Sequence, residues 1–474
     1  MKILSTISLI LLSTTALITA KIKVACVGDS ITFGSGIPDR DNLSYPAQLG
    51  PLLGDDYKVN NFGVSGATML QKGDKPYMNT KAYKTSLAYQ PNIVIIKLGT
   101  NDSKPHNWKL KASFSESTNN LITSYQKLST KPRIILCKPA PVLGDGRWGI
   151  TEKVVRGEVS KQIENVAFNK NLELVDLHIP LRDKPELIPD RVHPNAEGAE
   201  LLARHLHRII NMPRDSSYNA FIIKKEAVKN FHGYNMRDWI EGAKYKVVSP
   251  YVAAKGAPWI WRARFWGHQP QFDVQMLELG YHIVYCDVAN LFGAPSAVAK
   301  WDECYKLTQE WGLGPKPILE GMSRGGLIIH NWAVANPEKV AGIISDNAVM
   351  DIKSWPAGFG TGKGAPSAWK KCKAAYGFKT DDQAKAYLRN PVDTIQALKQ
   401  ANIPLLYLVG ADDNVVPPAE NSGLAEKKLN PYPLLTVINK PGKGHHPHSL
   451  PNPAPITEFA LKCSGFSVNS TSNK

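Results

Sequence analysis

The sequence predicts two α/β domains in tandem, and three observations point that way. Each half alternates short apolar runs with helical stretches, the pattern of sheets covered by helices. Each half also sets a serine just behind an apolar run and a glycine, at the carboxyl end of a strand, where open parallel sheets place their chemistry. Between the halves, residues 211–219 are polar, include Pro213 and lack periodicity, as a linker does. A chain of 474 residues exceeds one ordinary core, and the halves show no self-similarity, so the chain reads as a fusion. The expected segments are a leader at 1–20, a first domain at 21–210, the linker at 211–219, a second domain at 220–463 and a polar tail at 464–474.

The leader carries Lys2, an apolar core over 3–12 and 16–18, and the small residue Ala20 at its end. That is the pattern of a cleaved export signal, too short and hydroxyl-rich for a spanning helix. The expected location is secreted or periplasmic, with no membrane insertion.

In the first half, strands are expected at 22–27, 57–61, 92–98, 133–137 and 172–175, with helices at 117–128, 151–168 and 196–210 capped by Asn195. Four blocks stand out: Gly28-Asp29-Ser30 after the first strand, Asn60-Asn61-Phe62-Gly63, Gly99-Thr100-Asn101-Asp102, and Asp190-Arg191-Val192-His193 before the last helix. A serine needs a base to take its proton, and the base needs a third group to fix its tautomer. In this order the blocks resemble the SGNH (GDSL-type) hydrolases over about residues 22–210, which carry a flavodoxin-like parallel sheet. The resemblance implies Ser30 as nucleophile, His193 as base and Asp190 as the residue orienting it. It also implies an oxyanion hole from the Ser30 N–H, the Gly63 N–H and the Asn101 amide.

Further phrases, 42–46, 65–77 and 104–108, resemble the branch of that group containing sialate and other carbohydrate O-acetylesterases. Tyr77, His106 and Trp108 are candidates for a sugar subsite, and plain loop packing explains them equally well.

The second half restarts with strands at 227–232, 245–248, 258–261, 282–288 and 317–320. Then comes Gly321-Met322-Ser323-Arg324-Gly325 leading into a helix over 327–335. Strand, Gly-x-Ser-x-Gly, helix is the context of a nucleophile elbow. After a strand at 405–409 follows Gly410-Ala411-Asp412-Asp413, and after one at 434–438 follows Gly444-His445-His446. This order resembles the α/β-hydrolases over about residues 220–463. The resemblance implies Ser323, Asp413 and His445 as the triad, with Asp412 and His446 as competing assignments. Oxyanion donors are expected at the Arg324 N–H and near Arg262 or Ala263. Trp259, Trp261, Trp266 and Trp355 are candidates for sugar stacking or for a structural core.

Composition narrows the rest. The formal charge of +16 is spread over single bases and pairs without a basic helix, so no nucleic-acid partner is expected. Six cysteines in so long a chain are no disulfide scaffold: Cys26, Cys137 and Cys286 read as core thiols, while Cys304, Cys372 and Cys463 leave room for one bridge. No cofactor is expected. The three histidines at 445, 446 and 448 lack carboxylates nearby in the sequence, and no metal is assigned. The function so read is a secreted two-domain carbohydrate esterase removing O-acetyl at the first site and another ester at the second. The alternatives are a second domain that only binds glycan, or a lipase or peptidase.

Overall fold

The computed structural model describes residues 20–215, 228–241 and 243–466. The leader, apart from Ala20, residues 216–219 of the linker and residues 467–474 of the tail lie outside these. None of the described helices is long and apolar enough to cross a membrane.

The first half builds one parallel sheet from β1 (Ile22–Gly28), β2 (Tyr57–Gly63), β3 (Ile93–Lys97), β4 (Arg133–Lys138) and β5 (Glu173–Asp176), in the order β2-β1-β3-β4-β5. The central strands are apolar on both faces because helices cover both: every residue of β3 is buried, whereas the edge strand β2 is half polar and mostly not buried. The strand order reverses between β1 and β3, so the crevice for a ligand opens beyond their carboxyl ends.

The second half forms a nine-stranded sheet from β6 (Lys229–Phe231), β7 (Tyr234–Glu241), β8 (Ala243–Ser249), β9 (Trp259–Ala263), β10 (His282–Cys286), β11 (Ile318–Met322), β12 (Gly342–Asp346), β13 (Leu405–Gly410) and β14 (Leu435–Lys440). Its order is β14-β13-β12-β11-β9-β10-β8-β7-β6. From β14 to β10 all neighbours are parallel, while β8, β7 and β6 join by antiparallel pairing. Trp259 and Trp261 point into a core of indoles: Trp261 stacks on Trp301 with centroids 4.0 Å apart and meets Trp332 edge-on. Both are buried, so of the two readings the structural core holds for them.

The linker reading needs correction at its start. The helix Ala196–Asn211 runs through the first linker residue, and Met212 is buried. Arg214 donates to the carbonyls of Val252 and Glu278, and the Asp215 N–H to that of Ala253. Residues 212–215 are therefore docked on the second half. One apolar cluster joins Leu206, Ile209 and Met212 to Phe231, Met276 and Tyr281 across the two halves. The six thiols are all free, so the bridge left open for Cys304, Cys372 and Cys463 is not formed.

Candidate active sites

Ser30 begins a one-turn helix at the end of β1, with Asp29 accepting the Ile31 N–H. Asp29 is fully buried against Lys97 of β3 at 2.9 Å, and Lys97 also reaches the Thr100 hydroxyl at 2.7 Å. Burial pushes the Lys97 ammonium below its usual range, against the pull of Asp29. This pair ties the serine turn to the strand that leads to Asn101. At the far end of the domain, the loop before the Asn195-capped helix delivers Asp190 and His193.

The three sequence-assigned residues meet. His193 Nε2 lies 2.8 Å from Ser30 Oγ, and its Nδ1 lies 2.7 Å from Asp190 Oδ2. The other oxygen, Asp190 Oδ1, accepts the N–H groups of Val192 and His193. Burial alone would raise the Asp190 carboxyl, but these hydrogen bonds hold it below the usual range. A carboxylate kept ionised fixes the Nδ1–H tautomer and leaves Nε2 free to accept the serine proton.

The oxyanion glycine must be moved. The Gly63 N–H is taken by Asn61 Oδ1 at 2.9 Å, and a Cβ on Gly63 would meet Phe33 N at 2.2 Å. Gly63 is a packing glycine beneath the serine turn. Three residues on, Gly66 has φ +81°, and its N–H makes no hydrogen bond among the described residues. Asn101 Nδ2 donates to the neighbouring Ala67 carbonyl at 3.2 Å, which brings its amide to the same loop. Asp102 locks this arrangement from beneath by accepting the N–H groups of Met69 and Leu70. The candidate oxyanion donors are thus the Ser30 N–H, the Gly66 N–H and the second Asn101 amide hydrogen, none of them taken by another group among the described residues.

The proposed sugar subsite does not form from Tyr77 and Trp108. Tyr77 is buried with its hydroxyl on the Phe62 carbonyl, and Trp108 packs on Phe114 and donates to Glu158. His106 is exposed and pairs with Asp74. The aromatic that does stand at this site is Trp148, 55% exposed, with its ring 5.6 Å from that of His193 and the Arg147 guanidinium 4.8 Å from its centroid. Its signal in the sequence was an indole between glycines at 146 and 149, in a loop without periodicity.

The second half repeats the chemistry on a different frame. Ser323 takes a left-handed conformation, φ +49°, in the sharp turn between β11 and the helix Gly325–Ala335. Close approach explains the two flanking glycines: a Cβ on Gly321 would meet the Gly325 backbone at 2.9 Å, and one on Gly325 the Ala263 carbonyl at 2.6 Å. His445 Nε2 lies 3.0 Å from Ser323 Oγ, and His445 Nδ1 lies 2.7 Å from Asp413 Oδ2. Asp413 Oδ1 accepts the N–H groups of Val415 and Val416. The open choices thus close on Asp413 and His445: Asp412 has no such contact, and His446 is exposed beside the base. Asn347 is a residue the sequence reading missed. It donates to the His445 carbonyl and accepts the Gly410 N–H, bracing the base loop against the acid strand.

The oxyanion position also shifts here. Arg262 and Ala263 both lie inside β9 and pair with neighbouring strands. The Arg262 guanidinium is buried against Asp273 and Glu320 and holds the carbonyls of Phe265 and His268. The first residue beyond the strand, and so the candidate for the second donor, is Arg264, φ +64°. Arg324 lies over the rings of Phe292 and Trp355, and burial together with the charge of Arg264 pushes its guanidinium down to about 10. Of the remaining tryptophans, Trp355 borders this site, whereas Trp266 packs on Phe231 and Tyr285.

Residues 26–201 match the GDSL-like Lipase/Acylhydrolase family. An acetylxylan esterase of Xylanibacter ruminicola is 42% identical over 200 residues, covering 38% of this chain and 42% of that relative, so the chain spans less than half of the relative's length. Among solved structures, the native aryl esterase of M. smegmatis is similar at 18% identity over 40% of this chain and 98% of that one, with a TM-score of 0.33. A puromycin-hydrolyzing peptidase of Mycobacterium tuberculosis is similar at 14% identity over 49% of this chain and 40% of that one, with a TM-score of 0.39. The stretch that matches the GDSL-like acylhydrolase model thus contains Ser30, Asn101, Asp190 and His193, and a second domain with a mixed nine-stranded sheet and its own Ser323–His445–Asp413 line follows it.

Proposed function

We propose that the protein is a secreted carbohydrate esterase with two serine hydrolase sites, the first removing acetyl groups from a xylan-type glycan. One observation carries the reading of the first site: the unbroken line Ser30–His193–Asp190, at 2.8 and 2.7 Å, with the Ser30, Gly66 and Asn101 N–H groups assigned as its oxyanion donors. His193 takes the Ser30 proton as Oγ attacks the acetyl carbonyl, and the donors hold the oxyanion. His193 then returns the proton to the departing sugar hydroxyl, leaving an acetyl-serine. Water, deprotonated by the same imidazole, attacks that ester and releases acetate. The glycan class is supported by the acetylxylan esterase relative and by exposed Trp148, which offers a flat face beside the base.

The second site has the same parts in a drier setting, with the Asp413 side chain only 1% exposed against 27% for Asp190. It acts on a different ester of the same glycan. Arg264 and Arg324 at its rim favour a substrate that carries an acid. The test is acetate release from acetylated xylo-oligosaccharides by single-serine variants. Ser30→Ala should lose it and Ser323→Ala should keep it; release that survives Ser30→Ala at the original rate overturns the assignment.

A further inference from the structure

The loop after β14 gathers three imidazoles. One ligand nitrogen from each of His445, His446 and His448 lies within 4.8 Å of the other two, the one grouping of this kind among the described residues. Their ring centroids are 4.9 to 5.1 Å apart. His268, from the loop after β9, adds a fourth ring 6.2 Å from His446 and 5.9 Å from His448. His446 and His268 are exposed, so an ion can enter from solvent.

A second observation points to a ligand. His448 is 3% exposed, and its Nδ1 makes no hydrogen bond but lies 3.5 Å from Asp346 Oδ2. A carboxylate behind an imidazole orients a metal-binding histidine and raises its basicity. The sequence holds no acid beside these histidines; the fold brings one from the end of β12. Neutral imidazoles suit Zn²⁺ and its borderline neighbours, whereas Mg²⁺ and Ca²⁺ want oxygen.

We propose that this cluster is an inhibitory site for a borderline divalent cation, Zn²⁺ being the probe, which removes His445 from Ser323. The inference rests on the reading of Ser323 as a nucleophile. His445 Nδ1 is held by Asp413, so the nitrogen it offers a cation is Nε2, the atom that now faces Ser323 Oγ. A lone pair given to the cation cannot take the serine proton. Tetrahedral zinc at about 2.0–2.1 Å from each nitrogen draws the rings closer than they stand, and exposed His446 has room to make that movement. The first site has no such grouping: the ring beside His193 is Trp148. The cation therefore discriminates between the two sites.

The test uses the full chain and a fluorophosphonate, with labelling of Ser30 and Ser323 read separately on their peptides. Zinc should suppress labelling of Ser323 about tenfold or more while leaving Ser30 unchanged, and EDTA should restore it. His446→Ala and His268→Ala should each raise the zinc needed by about tenfold or more. Equilibrium dialysis of the Ser323→Ala protein should find one tightly held zinc, lost in the His446→Ala/His448→Asn double variant. Ser323 labelling that ignores zinc, or equal loss at both serines, overturns the proposal. If Ser323 fails to label even without zinc, the nucleophile reading falls; dialysis then still decides the cation site, and no bound zinc overturns it.

Discussion

Glu278, on the helix Gln271–Glu278 of the second half, accepts the backbone N–H of Asp176 of the first half at 2.6 Å. Its other oxygen lies 3.0 Å from His205, and both side chains are nearly inaccessible. Around this contact the Tyr234 hydroxyl donates to the Leu174 carbonyl, and Gly233 sits so close that a Cβ would meet Leu174 Cδ2 at 2.4 Å. Two independent cores joined by a linker, as the sequence suggested, would not bury polar groups of one on the other. Cleavage within 216–227 should therefore leave two fragments that co-elute on size exclusion, and the first fragment made alone should melt well below the intact chain. Separate elution with unchanged melting would show that the interface contributes nothing. Glu278→Ala should lower stability by about 1–3 kcal/mol through the unpaired Asp176 N–H and His205.

The oxyanion assignment at the first site predicts a kinetic signature. Asn101→Ala removes one fixed donor, which is worth about a hundredfold or more in kcat, with KM for small aryl acetates little changed. Because Asn101 Nδ2 also holds the Ala67 carbonyl, circular dichroism and melting should be compared alongside. A kcat within about threefold of the parent would remove Asn101 from the oxyanion site and leave the triad standing.

How far the site could be read in advance follows from the physics of each part. Asp190 and His193 were legible because a three-residue spacing sets the contact locally, and Ser30 because a turn glycine and an N-capping aspartate flank it. Gly63 failed as the oxyanion donor because the Asn61 side chain occupies its N–H, which spacing does not encode. Tyr77, Trp108, Trp259 and Trp261 are indistinguishable from binding aromatics until the fold buries them. β7 escaped notice because its middle reads Asn235, Arg237, Asp238, the polar mix of a strand near a sheet edge. β12 escaped because Gly342 and Ser345 thin out a five-residue run. Glu278 carries no signal in the sequence, since only the docking of the two halves buries it.

Trp148 gives the substrate class its own test. The side chain is 55% exposed and lies beside His193, so removing it leaves no cavity in the core. Trp148→Ala should raise KM for acetylated xylo-oligosaccharides about tenfold, the loss of one contact of about 1.4 kcal/mol, and leave KM for aryl acetates near the parent value. An equal change for both substrates would mean that the ring orders the base and does not bind sugar.

The second domain should lose stability on mild acidification, and His330 is the reason. Its ring is fully buried in the helix behind Ser323, where Nδ1 donates to the Gly326 carbonyl at 2.7 Å. Burial pushes its pKa from 6.5 down to about 4, with the Gly326 hydrogen bond opposing. As pH falls through 6.5 the unfolded imidazole takes a proton while the folded one stays neutral until near 4. The unfolded state then binds more protons, so stability falls with pH across that window and is complete above it. The full shift corresponds to at most about 3 kcal/mol. His282, buried and also pushed down to about 4, acts in the same direction. Urea unfolding at pH 7.5, 6 and 5 should show the midpoint of the tryptophan-rich second half falling stepwise. His330→Gln, whatever its starting stability, should make that decline shallower; an identical decline would place the acid sensitivity elsewhere.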